Sequence, residues 1–285
     1  MAIRFLTDST ADILPEEAAR RGLAVVPLKV IFGDDAYRDG IDLNHPTFYK
    51  MLGETKALPT TSQPTPDEFL THFERAKEQG DSLICLLLSS KLSGTVQSAR
   101  IAADLCGYDQ IYIIDSEAAI IVLRALLDLG EKLRDEGKSA PEIVEELERV
   151  KKRWRVFGIV DTLDNLHKGG RLPASTAIVG GLLRVKPIIC LKDGELSLVS
   201  KGIGTKGSLN AMLKLVGDDI HVDPRLPVYY GYSGDDTLCS QFIPLMEERF
   251  GPHAHETYSI GCVIGTHLGS NCAVVAYLVA DGYDA

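Results

Sequence analysis

Long apolar runs are missing from this sequence. Residues 83–88 and 272–280 are its longest near-apolar stretches, far short of the roughly 20 residues a membrane helix needs. No stable membrane insertion is therefore expected. Basic residues are outnumbered: 30 Lys and Arg stand against 40 Asp and Glu, a net charge of −10. No basic stripe offsets that balance, which argues against nucleic acid as a partner. Any anionic ligand must be held by local donors, because the overall field repels it. The six cysteines (85, 106, 190, 239, 262 and 272) form no CxxC pair and mostly sit in apolar runs. Free, buried thiols in a reducing compartment follow. The opening MAIRFLTDST has no basic segment leading into a long apolar core, so a cytoplasmic location is expected.

Catalytic signatures are missing as well. No GxGxxG follows the first strand, and Gly204-Thr205-Lys206-Gly207-Ser208 lacks the spacing of a phosphate-binding loop. Gly231-Tyr232-Ser233-Gly234 fails as a nucleophile elbow because Asp235 stands where the last glycine belongs. His253 and His255 have no third ligand in register, so no metal is assigned. Asp8 and Asp115, at strand ends, could meet magnesium but are also natural turn residues.

What is present is the material of two cores. The chain has 285 residues, 45% of them hydrophobic, long for one core and comfortable for two. Three times in the first half an apolar strand runs into a polar turn and a helix, at Thr7, at Ser89 and at Asp115. That alternation predicts a parallel sheet with flanking helices, its hydroxyl-rich turns on one rim beyond the strand ends. Residues 24–32 form a β-rich run closed by a hairpin-like turn, 58–66 a proline-bounded loop, and a helix is expected from about Glu117. Near Trp154 the pattern changes. Residues 186–200 read as two strands around Asp193-Gly194, a strong hairpin signal, and later strands and helices complete an α+β unit with antiparallel pairing. The division is 1–154, an α/β domain, and 155–285, an α+β domain.

Candidate site residues gather in loops. Gly169-Gly170-Arg171 lets the backbone approach a ligand, and Arg171 stands before an expected second helix, where free N–H groups favour an anion. A tight corner with a surface arginine would look the same. Ser93 and Gly94, with Thr95, sit at a strand-to-helix junction where hydroxyls and N–H groups can converge on an anion, or simply cap the helix. Thr61 and Ser62 allow the same two readings. Thr266 and His267 lie in a glycine-flanked loop, 261–269, where the imidazole could donate to a carboxylate or merely pack. Hydroxyls, a histidine and an arginine without an activated nucleophile suit holding a carboxylate better than transforming it.

Five ordered motifs resemble the DegV family: Thr7-Asp8-Ser9-Thr10-Ala11-Asp12, Thr61-Ser62-Gln63-Pro64, the Ser89-to-Ala99 segment, Gly169-Gly170-Arg171 with Lys186-Pro187-Ile188, and Ile264-Gly265-Thr266-His267. The resemblance implies two domains with a fatty acid between them. It implies a non-catalytic subunit without a cofactor, presenting the acyl carboxylate to a separate ATP-dependent fatty acid kinase subunit. By the same resemblance Thr61, Ser93 and His267 would contact the carboxylate, with Ser62 beside them, and Arg171 would face the phosphoryl group or the kinase. Departures are visible. Ala118-Ala119-Ile120-Ile121 is bulkier than the usual glycine- and serine-rich helix start, Gly269-Ser270-Asn271-Cys272 replaces a Gly-Pro-Gly-Ala run, and 200–204 offers Lys201 where an arginine is common. A lipid carrier or sensor without a kinase is the alternative, and a hydrolase or transferase acting on a small anion is the rival from another class.

Overall fold

The six residues Ser82–Leu87 are buried throughout, and a strand covered on both faces belongs inside a parallel sheet. The computed structural model, which describes residues 2–172, 184–217 and 220–283, places it there. The chain opens β1 (Ile3–Asp8), α1 (Pro15–Arg21), β2 (Ala24–Val26), β3 (Lys29–Phe32), β4 (Asp35–Arg38), α2 (His45–Glu54) and β5 (Thr60–Ser62). It continues α3 (Pro66–Gln79), β6 (Ser82–Leu87), α4 (Thr95–Cys106), β7 (Ile111–Asp115), α5 (Ile120–Asp135) and α6 (Ala140–Val150). The first sheet has the order β2-β1-β6-β7, parallel at every pairing. Local chemistry marks the helix ends: Thr65 and Glu68 make a capping box at α3, Pro66 takes its first turn, and Gly80 closes it at φ +66°.

The second half runs β8 (Trp154–Ile159), α7 (Asp164–Lys168), β9 (Val185–Lys192), β10 (Glu195–Ile203), α8 (Gly204–Val216) and β11 (Val228–Tyr232). Then come α9 (Thr237–Phe250), β12 (His255–Ser259), α10 (Cys262–Leu268) and β13 (Ala273–Leu278). Its sheet is ordered β10-β9-β8-β13-β11-β12. Pairing is antiparallel except between β11 and β12. The hairpin read at Asp193-Gly194 is present, with positive φ at both residues (50° and 81°) as a primed turn demands. Its tip reaches the other half, where the Ser89 hydroxyl donates to the Gly194 carbonyl at 2.8 Å.

One helix serves both sheets. Of the 16 residues of α5, 11 are buried, and it packs on β1 and β6 from one side and on β11 and β13 from the other. A helix apolar all round is a helix enclosed all round.

Four expectations are corrected. Residues 24–32 are two strands in two sheets, β2 beside β1 and β3 in a small antiparallel sheet β4-β3-β5; Pro27, lacking an N–H, stands at the break. Thr60–Ser62 is the edge strand of that small sheet instead of loop. The helix expected from Glu117 begins at Ile120, because Glu117 and Ile120 take positive φ (53° and 47°), and a β-branched residue there is a true outlier. The loop expected at 261–269 contains α10. The helix expected after Arg171 lies outside the described residues. Among the described residues no helix is long and apolar enough to cross a membrane, and all six cysteines are free thiols, five buried and Cys190 half-buried.

Candidate functional site

Three short pieces of chain meet where the two sheets face each other: β5 with the residues after it, the turn from β6 into α4, and the α7–α10 pair. The sequence brings them close through small residues. A side chain at Gly169, which ends α7, would put its Cβ 2.4 Å from Nδ1 of His267. One at Gly94 would fall 2.1 Å from Oε1 of Gln63. One at Gly265 would fall 2.6 Å from the Tyr49 hydroxyl and 2.7 Å from Phe48. Thus α10, which follows β12 of the second sheet, is seated on α2 of the first half, and it carries His267 across to β5. The Tyr49 hydroxyl fastens this seat by donating to the Ile260 carbonyl at 2.9 Å.

Between the sheets lies a cavity of about 340 Å³. Most of its wall is apolar, including Leu28, Leu88, Ile120, Val156, Ile189, Leu191, Leu196 and Val274. Its polar lining is Thr61, Ser62, Gln63, Ser93, Arg171 and His267. The Thr61 hydroxyl and Nε2 of His267 are 2.9 Å apart, and the Ser93 and Thr95 hydroxyls are also 2.9 Å apart. Arg171 donates from Nε to the Leu92 carbonyl at 3.0 Å and from Nη1 to the Gly169 carbonyl at 2.5 Å. Its guanidinium thereby spans from the second half to the first. His267 is 9% exposed and its Nδ1 is buried without a hydrogen-bond partner. Burial, helped by the positive charge of Arg171, brings its pKa down to about 4, so the empty site holds a neutral imidazole. An anionic head group entering there would meet hydroxyls, a histidine ready to take a proton, and a fixed cation.

Of the residues singled out from sequence, Thr61, Ser62, Ser93, Arg171 and His267 share this cavity wall. Gly94 is the cap residue at the start of α4, behind the wall. Thr266 is buried and its hydroxyl donates to the Cys262 carbonyl inside α10, which turns it away from the cavity lining. Gln63 was not singled out as a site residue, yet it belongs to the wall, bracing α4 by donating to the Gly94 carbonyl (3.2 Å) and the Ser98 hydroxyl (2.9 Å). Its neighbours Thr61 and Ser62 were the available signal. The apolar wall carried no signal, since a residue facing a cavity and one facing the core follow the same strand periodicity.

Residues 2–279 match the DegV family of uncharacterised proteins. A DegV domain-containing protein of Caldanaerobacter subterraneus subsp. tengcongensis is 34% identical over 275 residues, 96% of this chain and 98% of its own length. Among solved structures, a DegV family protein from Thermus thermophilus described by its fatty acid binding is 30% identical. It superposes with a TM-score of 0.86 over 98% of this chain and 100% of its own. The Streptococcus pneumoniae fatty acid kinase B3 protein, solved loaded with linoleic acid, reaches the same TM-score of 0.86 at 23% identity, covering 98% of this chain and 100% of its own. At that identity the likeness is one of fold.

Proposed function

The chain belongs to the DegV family, and from that premise we propose that it binds a long-chain fatty acid between units 1–154 and 155–285 and presents the carboxylate to a separate kinase subunit. The observation that carries the reading is the cavity: apolar along its wall, with Thr61, Ser93, Arg171 and His267 as its polar lining. Each buried methylene contributes about 0.8 kcal/mol, so a long tail supplies on the order of 10 kcal/mol before the costs of association. The head must then find donors, since a bare carboxylate in such a place is expensive. Thr61, Ser93 and His267 take that role, with Ser62 and the Gly94 backbone beside them and Thr266 acting only through the helix. The fatty-acid-binding relative from Thermus thermophilus supports the ligand class.

Phosphorylation would proceed by attack of a carboxylate oxygen on the γ-phosphorus of ATP, with ADP leaving and acyl phosphate formed. A protein serving that step needs no nucleophile, cofactor or metal of its own, and it works in the cytoplasm where the nucleotide is. Exposed Lys91 and Lys168 flank the polar residues, and Arg171 faces the incoming phosphoryl group or the kinase. The second reading, a fatty acid carrier without a kinase, draws on Lys201 standing where an arginine is common. Native mass spectrometry of the purified protein should find a long-chain acid; a persistently empty cavity would sink the binding reading. Adding a purified kinase subunit and ATP should yield acyl phosphate, and none at all would favour the carrier.

A further inference from the structure

At the other end of α10 from His267 lies a second cavity, about 420 Å³, sharing no lining residue with the first. Ile13, Leu23 and Val25 give it apolar walls, and Asp12, Asp39 and His45 also line it. Asp39 is 4% exposed and Asp12 9%. One oxygen of Asp39 accepts from the Cys262 N–H at 3.2 Å. Its other oxygen, and both oxygens of Asp12, are buried without a hydrogen-bond partner. His45 shares a 3.1 Å hydrogen bond with Ser259 through Nδ1. Its Nε2 and Asp12 Oδ1 both border Gly261, where a Cβ would lie 3.2 Å and 2.4 Å from them.

Carboxylates so placed call for a positive charge, because a buried acceptor with no donor forfeits its whole hydration. The nearby cation does not answer: Arg124 donates from Nη1 to the main-chain oxygen of Asp12 at 3.3 Å and from Nη2 to Glu17. Burial, and for Asp12 the neighbouring Asp39 charge, pushes both acids above the usual carboxylate range. The other titratable groups around them are Asp8, Tyr49 and Cys262, and none brings a positive charge. A metal ion does not fit, since among the described residues no three His, Cys, Asp or Glu are placed to hold one. The walls ask for carbon.

We propose that this cavity binds a small organic cation, an ammonium or guanidinium on a short apolar body, with its charge between Asp12 and Asp39. Entry would displace the protons that the empty carboxyls hold, so affinity should rise from pH 5 toward neutrality.

The test titrates n-butylammonium into the purified protein by calorimetry at fixed ionic strength, with ammonium and n-butanol as partial mimics. Saturable binding of n-butylammonium, at least tenfold tighter than either mimic, is expected. Asp12→Asn should weaken it at least tenfold. Ala19→Phe, which fills the cavity from an exposed position on α1, should abolish it while the thermal transition of the protein persists. Equal binding of n-butanol, unchanged binding by both variants, or no saturation would each overturn the site. A blocked arginine amide against n-butylguanidinium assigns the source: preference for the first points to a partner's side chain, for the second to a free metabolite, and either order upholds the site. Fatty acid content of the same samples, read by mass spectrometry, reports separately on the first cavity, so the two readings can fail independently.

Discussion

At the residue scale the chemistry concentrates on His267. Its Nε2 lies 2.9 Å from the Thr61 hydroxyl, and a carboxylate bound beside it would take over that donor. His267→Ala should weaken fatty acid binding by about 1–3 kcal/mol, the range for loss of a hydrogen bond to a charged group. A fluorescent fatty acid titration measures this, and an unchanged affinity would remove the histidine from the head site. Its titration gives a second expectation. Because burial depresses the folded pKa to about 4 from 6.5, the unfolded chain takes up the proton first. Stability tied to the neutral imidazole is therefore intact above about pH 6.5 and erodes as pH falls toward 4, by on the order of 3 kcal/mol. Asp8 works in the opposite sense: burial raises it from 3.8 to about 6, so its contribution grows as pH falls through that window. Only the difference between wild type and His267→Gln, both stripped of lipid, isolates the histidine. Urea unfolding from pH 7 to 4.5 should show the variant losing less stability, and parallel curves would contradict the buried neutral state.

At the scale of elements, α5 and α10 carry the site. The first residue of α5, Ile120, holds φ +47° while lining the fatty acid cavity. In a helix glycine is usually about 1 kcal/mol worse than alanine, but a left-handed residue costs a side chain roughly 1–2 kcal/mol. Ile120→Gly should therefore be at least as stable as Ile120→Ala in urea unfolding, the reverse of the helical ranking. A clear advantage for alanine would mean that the backbone there is not left-handed. Helix α10 makes a different demand. Gly265→Ala would drive a methyl into Tyr49 and Phe48 at 2.6 and 2.7 Å, and overpacking of this kind costs about 1–3 kcal/mol. Since His267 rides on α10, fatty acid affinity should fall with stability, although Gly265 is absent from the cavity lining; lost stability with unaltered affinity would separate the two. These elements also show what a sequence can tell. The strands around Asp193-Gly194 and the buried run of β6 were legible because turn chemistry and apolar continuity are local. Helix α10 was not, since Gly261 and Gly265 look like loop punctuation until Asp12, Phe48 and Tyr49 are packed against them. Strand β5 was hidden likewise, its partner β3 lying some 30 residues earlier in the chain. The site's loop hydroxyls and His267 could be named from sequence, but their convergence depends on how two sheets share α5.

At the scale of the whole molecule, the two halves are one cooperative body with a cavity at their seam. Helix α5 packs on both sheets, Arg171 reaches from the second half to the Leu92 carbonyl of the first, and Ser89 holds the hairpin tip at Gly194. A ligand filling the seam touches β6, β8, β9 and β13 together, so it should stabilise the whole and not one lobe. Binding that excludes the unfolded chain adds about 2.7 kcal/mol when free ligand stands at 100 times Kd. For a chain of this length, with an unfolding entropy of about 2.1 cal/mol/K per residue, that corresponds to a rise in Tm of about 5 °C. Calorimetric scans of stripped and reloaded protein should each show one transition, shifted upward by the fatty acid. Two transitions, of which the ligand moves one, would mean that the lobes unfold separately and that the shared helix does not couple them. An unmoved single transition would mean that the acid binds outside the seam.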